Sequence, residues 1–113
     1  MIARVWRGIT SISKADQYLE YLNQVVLPGY QAVDGNQGVY IFREVQGELV
    51  YFLLLSIWSS YDALTKFAGP NLEIAKQAPE EQKFLIASES VVTHYEVLKI
   101  ILPDINLSLR PET

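Results

Sequence analysis

Residues 39–58 read VYIFREVQGELVYFLLLSIW, two runs rich in β-branched and aromatic residues on either side of one glycine. Runs of this kind separated by two residues, here Gln46-Gly47, are the signature of a tight β-hairpin. Pairing across that turn sets Arg43 against Val50, Ile41 against Phe52 and Val39 against Leu54. The second run is apolar at nearly every position instead of alternating, which predicts that both of its faces are buried. One face can take helices, and the other needs a partner.

The flanking segments fit around this hairpin. IARVWR (2–7) has the composition of a short strand, and GITSIS follows as a turn. In SKADQYLEYLNQVV (13–26), Ala15, Leu19, Leu22 and Val26 recur at helical spacing, with polar residues on the other face. Ser13 is the expected N-cap, with Asp16 at the capping-box position, and Pro28-Gly29 is the expected stop. YQAVDGNQG is then a loop. Downstream, SSYDALTKF predicts a second helix capped by Ser59 or Ser60 and ended by Gly69-Pro70. Residues 71–90 form a long connection with helical pieces LEIAK and PEEQKFL, suited to a lid, and residues 91–98 a final strand. The order β-α-β-β-α-β specifies an α+β, ferredoxin-like antiparallel sheet with both helices on one side. One domain is expected over residues 1–99, followed by an extended arm, 100–113, whose Ile105, Leu107 and Leu109 alternate and should pack on a neighbouring subunit.

Composition narrows the chemistry. The chain has 113 residues, no cysteine, one histidine, a net charge of −4 and scattered basic residues. That removes disulfides, thiolate metal sites, cysteine nucleophiles and two-histidine metal motifs, and it leaves no electrostatic footprint for nucleic acid. No GxSxG elbow is present for a serine hydrolase. Half the residues are hydrophobic and only 19% are charged, against roughly 25% in an average soluble domain, so a homodimer is expected. The start lacks a signal-peptide hydrophobic region, and the longest apolar run is about half the length that spans a bilayer; a cytoplasmic location, away from membranes, is expected.

The stretch LSIWSSYDALTKFAG (55–69) resembles the antibiotic-biosynthesis-monooxygenase family of dimeric α/β barrels, in which a strand ends in W-x-S and leads into a helix with a small-apolar pair and an aromatic. IARVWRG and VTHYEVL occur where this family puts its first and last strands, so the resemblance covers residues 1–98. It implies a dimeric α/β barrel and, among the family's activities, oxygenation of phenols to quinones without a cofactor. The family's haem-degrading branch uses an asparagine, a tryptophan and a histidine at positions that fall here at Trp6, Phe67 and Gln77. All three differ, and glutamine is a poor iron ligand.

Oxygenation without cofactor or metal needs a base, an oxyanion holder and a dry aromatic pocket. His94 is the side chain whose ordinary pKa suits proton transfer near neutrality. Arg4 or Arg7 could hold a phenolate or enolate oxygen, and strand alternation puts Arg4 and Trp6 on one face and Arg7 on the other. His94 and Arg4 are therefore the expected catalytic pair, with Trp6, Tyr40, Phe52, Trp58, Tyr61 and Phe67 as the expected substrate-binding aromatics. The expected function is oxidation of a small phenolic or enolisable aromatic metabolite with O2. The alternatives are a non-catalytic dimeric barrel that binds a small aromatic or apolar molecule, and a haem-binding protein. Which face His94 occupies, the helix side or the dimer side, decides between catalyst and structure.

Overall fold

The structure is a computed structural model and describes residues 1–75 and 78–103. Gln77 and the alternating arm residues Ile105, Leu107 and Leu109 lie outside the described residues. Five strands, β1 (Ile2–Ser11), β2 (Asn36–Gln46), β3 (Leu49–Trp58), β4 (Leu85–Ser88) and β5 (Thr93–Glu96), form one antiparallel sheet. Its order is β2-β3-β1-β4, and β5 pairs with the other end of β1. The helical segments α1 (Ala15–Tyr21), α2 (Leu27–Gln31) and α3 (Tyr61–Ala68) cover one face, which makes this the ferredoxin-like arrangement expected from the sequence.

The alternation of strand side chains sorts the sheet into two unlike faces. Even-numbered residues of β1 and β3 point to the helices: Ile2, Trp6, Val50, Phe52, Leu54 and Trp58 join Tyr18, Leu22, Tyr30 and Leu64 in the core. Odd-numbered residues of β3 (Tyr51, Leu53, Leu55, Ile57) are half-buried in the single chain, so the second face is apolar as expected but uncovered here.

Five local expectations need correction. β1 does not end at Arg7 but runs on to Ser11, through residues read as a turn, because they pair with the first half of β3. The hairpin pairs Arg43 with Phe52, Ile41 with Leu54 and Val39 with Ser56, a register two residues away from the expected one. The turn residues are Gly47-Glu48, because Gly47 adopts φ +61°, which the first central position of a tight hairpin turn accepts readily. A two-residue slip preserves the faces, so the core assignment survives. The first helix does not stop at Pro28-Gly29: helical structure runs on through Gln31. A π-helical turn, Leu22–Val26, shifts the hydrogen bonding to Leu27 N–H donating to Leu22 O, and Pro28, with no N–H to place, falls in the first turn of α2. The N-terminus of α1 is capped from Lys14 with no side-chain hydrogen bond, in place of the expected Ser13 box. At α3 the cap is as expected, Ser60 Oγ accepting from Ala63 N–H at 3.1 Å. Finally, the described part of LEIAK, residues 72–75, forms no helix; Ile74 bridges to Val91, PEEQK (79–83) makes a 3-10 turn, and LIAS forms the extra strand β4.

Candidate functional site

Under the helices, β1, β3, the π turn, α2, α3 and the 3-10 turn border a partly open cavity of about 230 Å³. Its apolar wall includes Trp6, Val25, Val26, Leu54, Phe67 and Val92. Its polar groups are Arg4, Tyr21, Tyr30 and Glu81. The ring of Trp6 lies over Gly8, where any Cβ would stand 2.6 Å from its edge, and Trp6 Nε1 donates to Glu89 O at 3.1 Å.

Arg4 is 3% exposed. Its Nη1 donates to Leu72 O at 2.7 Å and approaches His94 Nε2 at 3.0 Å, while Nη2 donates to Ile74 O at 3.4 Å. Its Cζ lies 6.0 Å from the centre of the Phe67 ring. Burial pulls its pKa below the ordinary guanidinium value, and interaction with Tyr30 works the other way. Among the described residues no carboxylate stands within 4.0 Å of it; the ion pairs there are Arg7 with Glu89 and Arg43 with Asp16, both solvent-exposed. A buried cation neutralised by no anion is costly, and here it faces a cavity.

His94 pairs directly across the sheet with Arg4, so the histidine points to the helix side. Burial lowers its pKa first, the Arg4 charge lowers it further, and Glu73 partly offsets both. The imidazole is neutral near pH 7 and its Nε2 accepts from Arg4, which leaves the proton on Nδ1. His94 does not line the cavity; it stands behind the guanidinium.

Of the expected aromatics, Trp6 and Phe67 line the cavity. Trp58 is fully buried in the layer behind it, 5.1 Å from Phe67 and 6.1 Å from Tyr30 between ring centres, with Nε1 donating to Ser56 Oγ at 2.9 Å. Phe52 is core, edge-on to Tyr18. Tyr40 lies on the opposite sheet face, and Tyr61 is exposed on α3.

Tyr30 and Glu81 were not among the expected site residues. Tyr30 stacks on Phe67 at 4.4 Å, and burial pushes its hydroxyl up to about 12. It lies four residues beyond Val26, so the apolar stripe of the first helix, carried one turn past the proline, would have reached it. Glu81 is 8% exposed in the 3-10 turn and accepts from the Tyr18 hydroxyl at 3.2 Å. Burial raises its pKa, against the lowering effect of the Tyr18 and Ala78 hydrogen bonds. Nothing in the run PEEQK separates it from its exposed neighbour Glu80.

The sign of that shift sets a stability prediction. A carboxyl whose folded pKa is raised contributes stability below its unfolded value, about 4.3, that is lost as pH rises through the folded value. Glu81→Gln should therefore melt above the native protein at pH 8, with the difference shrinking towards pH 4; thermal unfolding across that range measures it, and a constant difference would contradict the placement.

A haem group fits this site poorly. No histidine lines it, and Tyr30, which does, holds its proton to about 12. Among the described residues no group of three or more His, Asp or Glu side chains is placed to hold a metal ion, and no helix is long and apolar enough to cross a membrane.

No family model and no curated protein matches the sequence. Solved structures do match. A protein from Bacillus cereus described as a candidate antibiotic biosynthesis monooxygenase superposes with a TM-score of 0.63 at 10% identity, covering 93% of this chain and 98% of that one. The heme-degrader MhuD from Mycobacterium tuberculosis, with two hemes bound in its active site, gives 0.55 at 20% identity over 89% of this chain and 99% of its own. A conserved protein from Methanosarcina mazei gives 0.57 at 16% identity over 83% and 89%. The chain thus has the fold of the antibiotic biosynthesis monooxygenases.

Proposed function

We propose, from that shared fold and from the cavity, that the chain is a cofactor-independent oxygenase of a small phenolic or enolisable aromatic compound. The observation that carries this is Arg4, a guanidinium fixed by two backbone carbonyls and His94, free of any carboxylate partner among the described residues, in the wall of an aromatic-lined cavity. A fixed cation in a site of low polarity stabilises a phenolate or enolate oxygen far better than water does. His94 orients it. An engineered cavity of about 150 Å³ holds benzene, so this one has room for a substituted ring. The ring anion then reacts with O2: one oxygen atom becomes a new quinone carbonyl, the other leaves as water, and the ring supplies all four electrons. Oxygen uptake with a panel of substituted phenols, hydroquinones and ring ketones tests the proposal, and no uptake with any of them removes it.

The occupied lone pair of His94 favours a second function, binding of a small aromatic molecule without turnover. Ligand-dependent quenching of tryptophan fluorescence with no oxygen uptake would select it.

The uncovered sheet face supports a homodimer. Tyr40 and Phe42 are about half exposed and stacked on one another, and Tyr95 is exposed on the same face of the sheet, on β5 beyond β3 and β1. With Leu53 and Leu55 they make the kind of contiguous apolar surface that marks an interface. Leu98, Ile100, Ile101 and Leu102 add further exposed apolar area. Leu53→Asp places a charge in the middle of this face and should yield monomers in sedimentation velocity while leaving the far-ultraviolet circular dichroism unchanged.

A further inference from the structure

The cavity holds a second polar centre that the expected catalytic pair does not use. Glu81, Tyr18 and Tyr21 meet where the 3-10 turn packs under α1. The Glu81 carboxyl takes the Tyr18 hydroxyl and stands within 4.0 Å of no cation among the described residues. Tyr21 lines the same cavity, and its hydroxyl is buried with no hydrogen-bond partner among the described residues. A tie between turn and helix would need only the Tyr18 contact. Leaving a second buried hydroxyl unpaired costs about 1–3 kcal/mol, and a carboxyl buried without a cation costs more. Both groups gain partners if a ligand fills the space. Arg4 and Glu81 line one cavity without forming an ion pair, so a ligand lying between them meets a cation with one part and a carboxylate with another.

We propose that Glu81 is the proton acceptor of this site: it removes the proton from an acidic O–H or C–H of an aromatic ligand whose other oxygen function is held by Arg4, with the Tyr21 hydroxyl as an added contact. The ligand's bond to hydrogen breaks, its electron pair stays in the ring system, and the proton forms an O–H bond on a Glu81 carboxylate oxygen. The anion so produced spreads its charge towards Arg4. The ligand class is a para-substituted phenol or a ring ketone able to enolise. The raised affinity of Glu81 for protons makes it a stronger base than an exposed carboxylate. This inference rests on the cavity being the ligand site, as in the function proposed above, and not on oxygen chemistry.

4-Nitrophenol is the probe, because its phenolate absorbs in the visible and its phenol form does not, and its nitro group offers oxygens to Arg4. Added to the native protein at a pH below its own pKa, it should bind with a clear phenolate band. With Glu81→Gln, in which the amide oxygen still accepts from Tyr18, that band should fall at least about tenfold, the equivalent of one pKa unit. Tyr21→Phe should keep the band and weaken binding by roughly fivefold to tenfold. In the unsubstituted protein with 13C-labelled glutamate, infrared difference spectra should show one carboxylate becoming a protonated carboxyl as the probe binds, a readout independent of how any variant folds. An undiminished band in Glu81→Gln, no infrared change, or no bound phenolate in the native protein would each overturn the assignment. None of these measurements involves oxygen, so a chain that ionises the probe but consumes no oxygen keeps Glu81 and loses the oxygenase.

Discussion

Arg4→Met should lower turnover of a phenolic substrate by about 10²–10³-fold, the usual effect of removing one fixed oxyanion donor. Methionine matches the length of the aliphatic stem and fills its volume, so the change removes the charge and the donors without opening a large void. Two opposing effects meet in the folded protein. The carbonyls of Leu72 and Ile74 and the imidazole of His94 lose their donor, while a desolvated, unneutralised cation disappears. Stability should change little beside the change in turnover. Steady-state oxygen uptake together with a thermal melt separates the two quantities. A variant with unaltered uptake would remove Arg4 from the chemistry, and His94 with it, since the histidine reaches the cavity only through the guanidinium.

Trp58→Ala should cost about 3–5 kcal/mol, the range for truncating a large buried aromatic. Against a total of roughly 5–15 kcal/mol for a domain, that is a large fraction, and it predicts a fall in melting temperature of roughly 10–25 °C. Trp58 is fully buried, bonds Ser56 through its indole N–H, and backs both Tyr30 and Phe67. The void left by the indole removes the surface on which those two cavity rings rest, so ligand affinity should fall alongside stability. Chemical denaturation and fluorescence titration measure the pair, and a loss below about 1 kcal/mol, the size of an average substitution, would show that Trp58 is not the keystone of this layer.

Much of the fold was legible from short-range signals. The hairpin at 39–58 and the Ser60 cap depend on residues within a few positions of one another, and both appear in the structure, the hairpin with its register moved by two. What failed was also local in origin. Pro28 reads as a stop because an α-helix cannot place its ring, and the π turn that accommodates it has no compositional mark. β4 was concealed by the helical spacing of PEEQKFL.

The site was less legible, since its parts come together through pairings that span most of the chain. Arg4 faces His94 across ninety residues of sequence. Alternation put Arg4 with Trp6, but the side taken by His94 required the register of β5 on β1. Once that register is known, the histidine's direction no longer settles its role, because its lone pair belongs to the guanidinium. Glu81 looked like one of several solvated charges in an acidic run, and only packing against Tyr18 distinguishes it.

The most direct test of the account is oxygen-isotope labelling. With a phenol that stimulates oxygen uptake, turnover under 18O2 by the metal-free, cofactor-free protein should yield a quinone carrying one 18O atom per molecule and an equal amount of labelled water, and Arg4→Met should yield neither above the uncatalysed background. A quinone free of 18O, or equal product from the Arg4→Met variant, would contradict it.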